Sequence, residues 1–144
     1  MSNARVKRAE RIVGLRAGVV ERLEVELGQR LRATAECEKE EKSARDAWEA
    51  AVAVVPQASC SSADLSENYE YRMGLMRKVE VASALTVKAR AEEEAVRAKL
   101  RSGKTELKKI ETWRDRLVAT GNADEAHRER KAADEVAARI ARNA

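Results

Sequence analysis

The chain of 144 residues has no phenylalanine, one proline, one histidine and only two residues each of tryptophan, tyrosine and cysteine. Because 27 of its residues are alanine, which favours helix but buries little surface, it cannot assemble a thick globular core. One histidine and two cysteines do not supply the ligands of a zinc site, and nothing points to a cofactor. No uncharged apolar run approaches the ~20 residues of a membrane helix, and no signal peptide follows the first charges. We therefore expect a cytoplasmic protein with reduced cysteines.

The chain is instead rich in charge, with Asp, Glu, Lys and Arg making up 38% of its residues. Leucine, valine and isoleucine recur at helical spacing between these charges, a combination typical of long helices and coiled coils. The 29 basic and 25 acidic side chains are mostly interleaved, which differs from the one-sided basic surface of most nucleic-acid-binding proteins. The composition therefore predicts an all-α protein whose helices pair through narrow apolar stripes.

The segment from Val55 to Ser62 holds the only proline, Pro56, and most of the residues that disfavour helix. Proline lacks an N–H and disfavours helix in the residue before it, so the first helix should end near Val55. Ser61 and Asp64 have the spacing of a capping box that begins a second helix. We expect one domain over residues 1–144, an elongated antiparallel two-helix coiled-coil hairpin about 75 Å long. Its helices should span about 4–55 and 62–142, with the turn at 56–61.

Two apolar stripes should form the seam between the helices. If the chain folds back near residue 60, residue i faces about residue 120 − i, and Trp48 lies level with Arg72. On the outer faces, charge pairs spaced i,i+4 should add a few tenths of a kcal/mol each. The predicted stripes are Ile12, Leu15, Val19, Leu23, Leu27, Leu31, Thr34, Cys37, Ala44, Trp48, Ala51 and Val55, and Leu65, Tyr69, Met76, Val79, Ala82, Thr86, Ala89, Val96, Leu100, Leu107, Ile110 and Leu117; the predicted pairs are Glu26–Arg30, Glu38–Lys42 and Glu41–Arg45.

The second helix is expected to be the longer one. The residues after Gly121 either continue it with a kink, the arrangement we favour, or form a separate last helix. In this register everything after Gly121 overhangs the first helix. The overhang carries Val136 and Ile140 on one side, and apolar surface left exposed commonly marks a partner's contact. Trp113, which strict three–four alternation places on the flank of the seam, is a further candidate contact.

The sequence contains no recognisable set of catalytic residues. Ser102–Thr105 ends like a phosphate-binding loop, but the required earlier glycine is Ala98 and the flanking sequence is helical. His127 is best interpreted as a solvated helix residue. Two helices do not make the water-excluding pocket that acid–base or nucleophilic catalysis needs, so we do not expect an enzyme.

The C-terminal part of the chain resembles a known family. Trp113 with Arg114 and Arg116, a short Gly/Ala/Asn stretch, and the run Arg130–Arg139 (RKAADEVAAR) are similar to the FliJ/YscO family, the coiled-coil stalk proteins of bacterial type III export systems. The length, the turn near residue 60 and the longer second helix agree. The residues expected to bind a partner are Trp113, Arg130, Lys131, Asp134, Glu135, Val136, Arg139 and Ile140.

The resemblance implies a non-enzymatic stalk that enters the central hole of the hexameric export ATPase. It would promote ring assembly and activity and link the ring to the export gate, without itself inserting into the membrane; secretion chaperones are further partners that the family implies. No gate-contacting set is recognisable in the middle of the second helix. Two alternatives remain open: a homodimeric coiled-coil adaptor and a nucleic-acid-binding helical protein.

Overall fold

The protein is all-α, as the composition predicts, with two long helices packed against each other. The structure is a computed structural model that describes residues 2–54, 59 and 61–144. Helix α1 spans Ser2–Ala53, and helix α2 spans Ser62–Asn143 and is the longer of the two. Helix α2 runs without interruption through Gly121 to the C-terminal residues, so the expected continuation past this glycine is correct.

Both ends of the connection between the helices can be explained from the sequence. α1 ends at Ala53, two residues before the expected boundary; Pro56, Cys60 and the rest of 55–58 lie outside the described residues. The predicted capping box is present, since the Asp64 N–H donates to Ser61 Oγ at 3.2 Å and the Ser61 N–H donates to Asp64 Oδ2 at 3.1 Å. These bonds satisfy backbone donors that the first turn of a helix leaves free. Ser61 is therefore the N-cap of α2.

The chain forms two compact units, each containing a segment of both helices. Unit 1 consists of Met1–Arg22 and Leu100–Ala144, and unit 2 consists of Leu23–Lys99. In unit 2 the helices are antiparallel. Arg30 contacts Glu92, whereas Val54, directly after the end of α1, contacts Arg72, which comes earlier in α2. Arg30 was expected to face residue 90, and its observed partner, Glu92, lies two residues from that position. Arg72 reaches past the level of Trp48 to the Val54 carbonyl at 2.7 Å, because a helical side chain leans toward the N-terminus of its own helix.

The seam of unit 2 follows strict three–four alternation on both helices. Its most buried member is Thr86, 1% exposed, whose hydroxyl donates to the Ala82 carbonyl. Glu93 is also buried, and it pairs with the more exposed Arg97 at 2.7 Å. The buried and half-buried residues at these three–four steps are Leu23, Leu27, Arg30, Thr34, Cys37, Glu41, Ala44, Trp48 and Ala51 on α1, and Asn68, Arg72, Leu75, Val79, Ala82, Thr86, Ala89, Glu93 and Val96 on α2.

The predicted stripes were correct at Thr34 and Thr86, which are both buried, but wrong near the longer polar residues of the seam. Following apolar residues alone leads through Leu31 on α1 and through Leu65, Tyr69 and Met76 on α2, and all four are exposed. The heptad spacing passes instead through polar side chains, whose long or hydrogen-bonding groups can reach solvent or a partner from the seam. The predicted stripe advances four residues at a time from Leu15 to Leu31. The observed seam instead alternates steps of three and four residues.

Two of the three expected i,i+4 ion pairs are replaced by pairs between the helices. Glu41 and Arg45 do pair within α1, at 3.1 Å. Arg30 instead contacts Glu92 at 2.7 Å, and the carboxylate of Glu38 accepts from Arg90 at 3.1 Å. These partly exposed pairs contribute modestly to stability, but they favour the antiparallel register because each requires one alignment of α1 with α2.

Unit 1 also has a thin core. Its buried apolar side chains are Ala9, Val20 and Leu100. Leu15 and Val19, predicted in the stripe, are exposed, since the seam of α1 passes through Val13 and Val20 instead. The half-buried positions of α2 in this unit continue the three–four alternation through Gly103, Leu107, Ile110, Arg114, Leu117 and Gly121.

The capping box makes a prediction about the pKa of Asp64. A hydrogen bond from the Ser61 side chain, together with the bond from its backbone N–H, holds the pKa of Asp64 below its ordinary value of 3.8. A depressed folded-state pKa means that the stabilisation is present above the ordinary value and is lost as the pH falls through the folded value. We expect Ser61→Ala to raise this pKa in a carboxylate NMR titration, and Ser62→Ala to leave it unchanged. An ordinary pKa in the unaltered protein would contradict the cap.

The corrected seam predicts different costs for the same substitution at two leucines of α2. Leu75 is 8% exposed and Leu85 is 48% exposed. We expect Leu75→Ala to lower the free energy of unfolding by about 2–4 kcal/mol, because it removes buried methyl groups and leaves a cavity. Leu85→Ala should cost about 1 kcal/mol or less. Urea unfolding followed by circular dichroism measures both, and equal costs would show that the seam does not pass through Leu75.

Candidate functional site

The C-terminal segment, residues 122–143, is helical but almost wholly exposed. Ala126 is half-buried, and every other residue of the segment is exposed, including Val136 at 54% and Ile140 at 66%. In contrast, α2 keeps a buried or half-buried residue at each three–four step up to Gly121. The seam of unit 1 therefore stops at Gly121, as expected, and the helix beyond it presents its whole circumference.

This segment has two different faces. At about 100° per residue, Ala126, Ala133, Val136 and Ile140 fall within an arc of about 80°, which we call the apolar face. Successive members of this face are three to seven residues apart, the spacing that places side chains on one side of a helix. Glu129 projects within the same arc. The apolar face thus combines small side chains, two large aliphatic ones and a carboxylate.

The charged face is formed by Lys131, Glu135, Arg139 and Arg142, which also fall within an arc of about 80°. These four side chains line one shallow groove together with Asp134 and Ala138. The centres of the apolar and charged faces are about 140° apart around the helix. The structure therefore brings most of the predicted contact residues onto one segment but divides them between two faces.

Two of the predicted contact residues lie apart from these faces. Arg130 is on the side of the helix that neither face occupies. Trp113 is 44% exposed and lies in unit 1 beside the half-buried Arg114, the arrangement that three–four alternation predicts. The Arg114 guanidinium donates to Asp115 Oδ1 at 3.0 Å. Trp113 precedes Arg130 by 17 residues, about 25 Å of helix, so the two side chains do not share one surface patch.

The charges of the C-terminal segment have no partners of their own. Among the described residues, none of the acidic or basic side chains between Asp124 and Arg142 forms an ion pair. Charge is also divided unevenly between the units. Unit 1 carries 17 Lys and Arg against 10 Asp and Glu, whereas unit 2 carries 12 against 15. The exposed segment therefore belongs to a basic unit.

Sequence reasoning missed the carboxylates Glu125 and Glu129 as members of this surface. Projection of the segment onto a helix would have found both beside Val136. His127 is exposed, and Ser102–Thr105 lies inside α2, where the Thr105 hydroxyl donates to the Arg101 carbonyl. No cluster of metal-binding side chains occurs among the residues that the structure describes. Within the described residues, no helix has an apolar stretch long enough to cross a membrane.

A scan against protein-family models and searches of curated proteins and of solved structures found no match to this chain.

Proposed function

We propose that this protein is a non-enzymatic stalk of a bacterial type III export system, which inserts its C-terminal segment into the central hole of the hexameric export ATPase. The observation that carries the proposal is that residues 122–143 form a helix exposed on all sides. The same segment contains the run Arg130–Arg139 on which the resemblance to the FliJ/YscO family rests. A stalk of this kind needs a helix that its own hairpin leaves uncovered.

The division of the segment into two faces supports a partner that surrounds it. A flat partner surface can cover only one side of a helix, and the apolar and charged faces are about 140° apart. A hole in a ring contacts both at once. The apolar face would supply burial, about 1.5–3 kcal/mol for each large side chain fully covered, and the charged face would orient the helix.

The basic character of unit 1 supports an acidic partner. Long-range attraction between a basic segment and an acidic opening raises the rate of encounter and weakens as salt is added. The N-terminal residues Arg5, Lys7, Arg8 and Arg11 belong to the same unit and add to its positive charge. Their role in the proposal is to steer the stalk toward the ring.

The action of such a stalk is mechanical. α2 is one helix from Ser62 to Asn143 and contains no proline, so a displacement of its last turns is carried along the helix by backbone hydrogen bonds. In the proposed function the ATPase supplies the nucleotide chemistry. The stalk responds to the asymmetry of the ring and couples it to the export gate.

One observation favours nucleic acid as a second candidate partner. Thr105, Lys108, Lys109, Thr112 and Arg116 line one exposed groove of α2, an arrangement that suits phosphate oxygens. Part of this charge is already neutralised, because Lys109 pairs with Glu106 at 3.2 Å. Nucleic-acid binding would weaken steeply with salt, with a log–log slope of about −0.9 for each phosphate contacted in a duplex.

The first prediction concerns deletion of the residues after Asn122. The seams of both units lie before this position, so we expect the truncated chain to remain helical while losing its ability to bind and stimulate the export ATPase encoded in the same genome. The measurement is ATP hydrolysis by the ring with added full-length or truncated chain at matched circular dichroism. Equal stimulation by both chains would place the contact elsewhere, on the turn or around Trp113.

The second prediction compares one substitution on each face. Val136→Asp places a charge without a partner in a desolvated contact, and we expect it to weaken ATPase binding about tenfold or more. Arg142→Ala removes one solvated charge and should weaken binding about threefold or less. Both positions are exposed in the free chain, so neither substitution should change its unfolding temperature. A larger loss for Arg142→Ala would show that the apolar face is not buried by the ring.

A further inference from the structure

We infer that the C-terminal segment also pairs with a second copy of this chain, antiparallel, through its apolar face. The proposal does not depend on the export function. It starts from the helix of residues 122–143. Apart from the half-buried Ala126, each residue of this helix is exposed in the part of the chain that the structure describes. Such a face needs a specific occupant, and the order of residues along it indicates which one.

Three of the four members of the apolar face are placed symmetrically about Ala133 and are complementary in size. Ala126 and Ile140 lie seven residues on either side of Ala133. In an antiparallel pair with Ala133 on the two-fold axis, each Ile140 lies level with Ala126 of the other copy. A large side chain thus meets a small one twice, and Ala133 at the centre lets the helices approach closely. A self-complementary patch of this kind is what a two-fold interface requires.

The charges bordering the face follow the same symmetry. Glu129 and Glu125 lie four and eight residues before Ala133. Arg139, the member of the charged face nearest to the apolar face, lies six residues after Ala133. In the antiparallel pair each Arg139 therefore lies between Glu125 and Glu129 of the other copy, within about 3 Å of each along the axis. None of these three side chains has an ion-pair partner among the described residues of its own chain.

The parallel arrangement is disfavoured by the same charges. It would place Arg139 beside Arg139 and Glu125 beside Glu125, and like charges at equivalent positions repel. The geometry thus selects one orientation and one register.

The test is sedimentation of the full-length chain over a range of concentrations. We expect a monomer–dimer equilibrium that Arg139→Glu weakens about tenfold or more, because the substitution places three carboxylates together at each end of the contact. Asp124→Arg, an exposed charge reversal about 160° around the helix from the centre of the apolar face, should leave the equilibrium within about twofold. The triple variant E125R/E129R/R139E inverts every pair and should restore dimerisation. A monomer at all concentrations, or a dimer indifferent to Arg139→Glu, would overturn the proposal.

Disulfide formation distinguishes the orientation independently. With Cys37 and Cys60 replaced by serine, Ala133→Cys should form a disulfide between two copies, because the two Ala133 positions meet on the axis. Ala126→Cys should not, since its two copies lie about 21 Å apart along the axis, far beyond the Cα separation that a disulfide allows. Cross-linking at both positions would indicate a parallel pair and contradict the inference.

Discussion

Stability in this protein depends on a seam that only two helices share. Each helix can offer its neighbour one stripe of side chains, so burial is confined to one position in every three or four. Even that stripe includes Thr34, Thr86 and Glu93 among its most buried members. A seam with so little apolar surface needs other stabilising interactions. The structure shows a capping box and ion pairs between the helices such as Arg30–Glu92 and Glu38–Arg90.

Polar seam residues also favour one alignment over its alternatives. A stripe made only of leucine and valine would tolerate a shift by one heptad, because each apolar side chain can pack against several others. Arg30 with Glu92 and Glu38 with Arg90 do not tolerate it, since a shift separates each pair by about 10 Å. The register of α2 against α1 in turn determines where the seam ends and how much of α2 remains beyond it.

The uncovered segment is therefore a consequence of the difference in helix length. α2 contains 82 residues and α1 contains 52, so part of α2 must lack a partner from α1. A ring that surrounds the segment and a second copy that covers one face use the same exposed side chains. The two occupants would compete for the apolar face and for Arg139, and the ring alone would also contact the rest of the charged face.

The amino-acid sequence alone determined the helical class, the capping box at Ser61 and Asp64, and the greater length of α2. These features depend on local propensity and on spacing within a few residues. Only the tertiary structure decided that Arg30 pairs across the helices with Glu92, and that Leu75 rather than Met76 enters the seam. Apolar side chains alone cannot identify a seam that includes polar ones, because the choice between neighbouring positions is made by the opposing helix. The exposure of residues 122–143 was likewise decided by the tertiary structure, because it depends on where α1 stops covering α2.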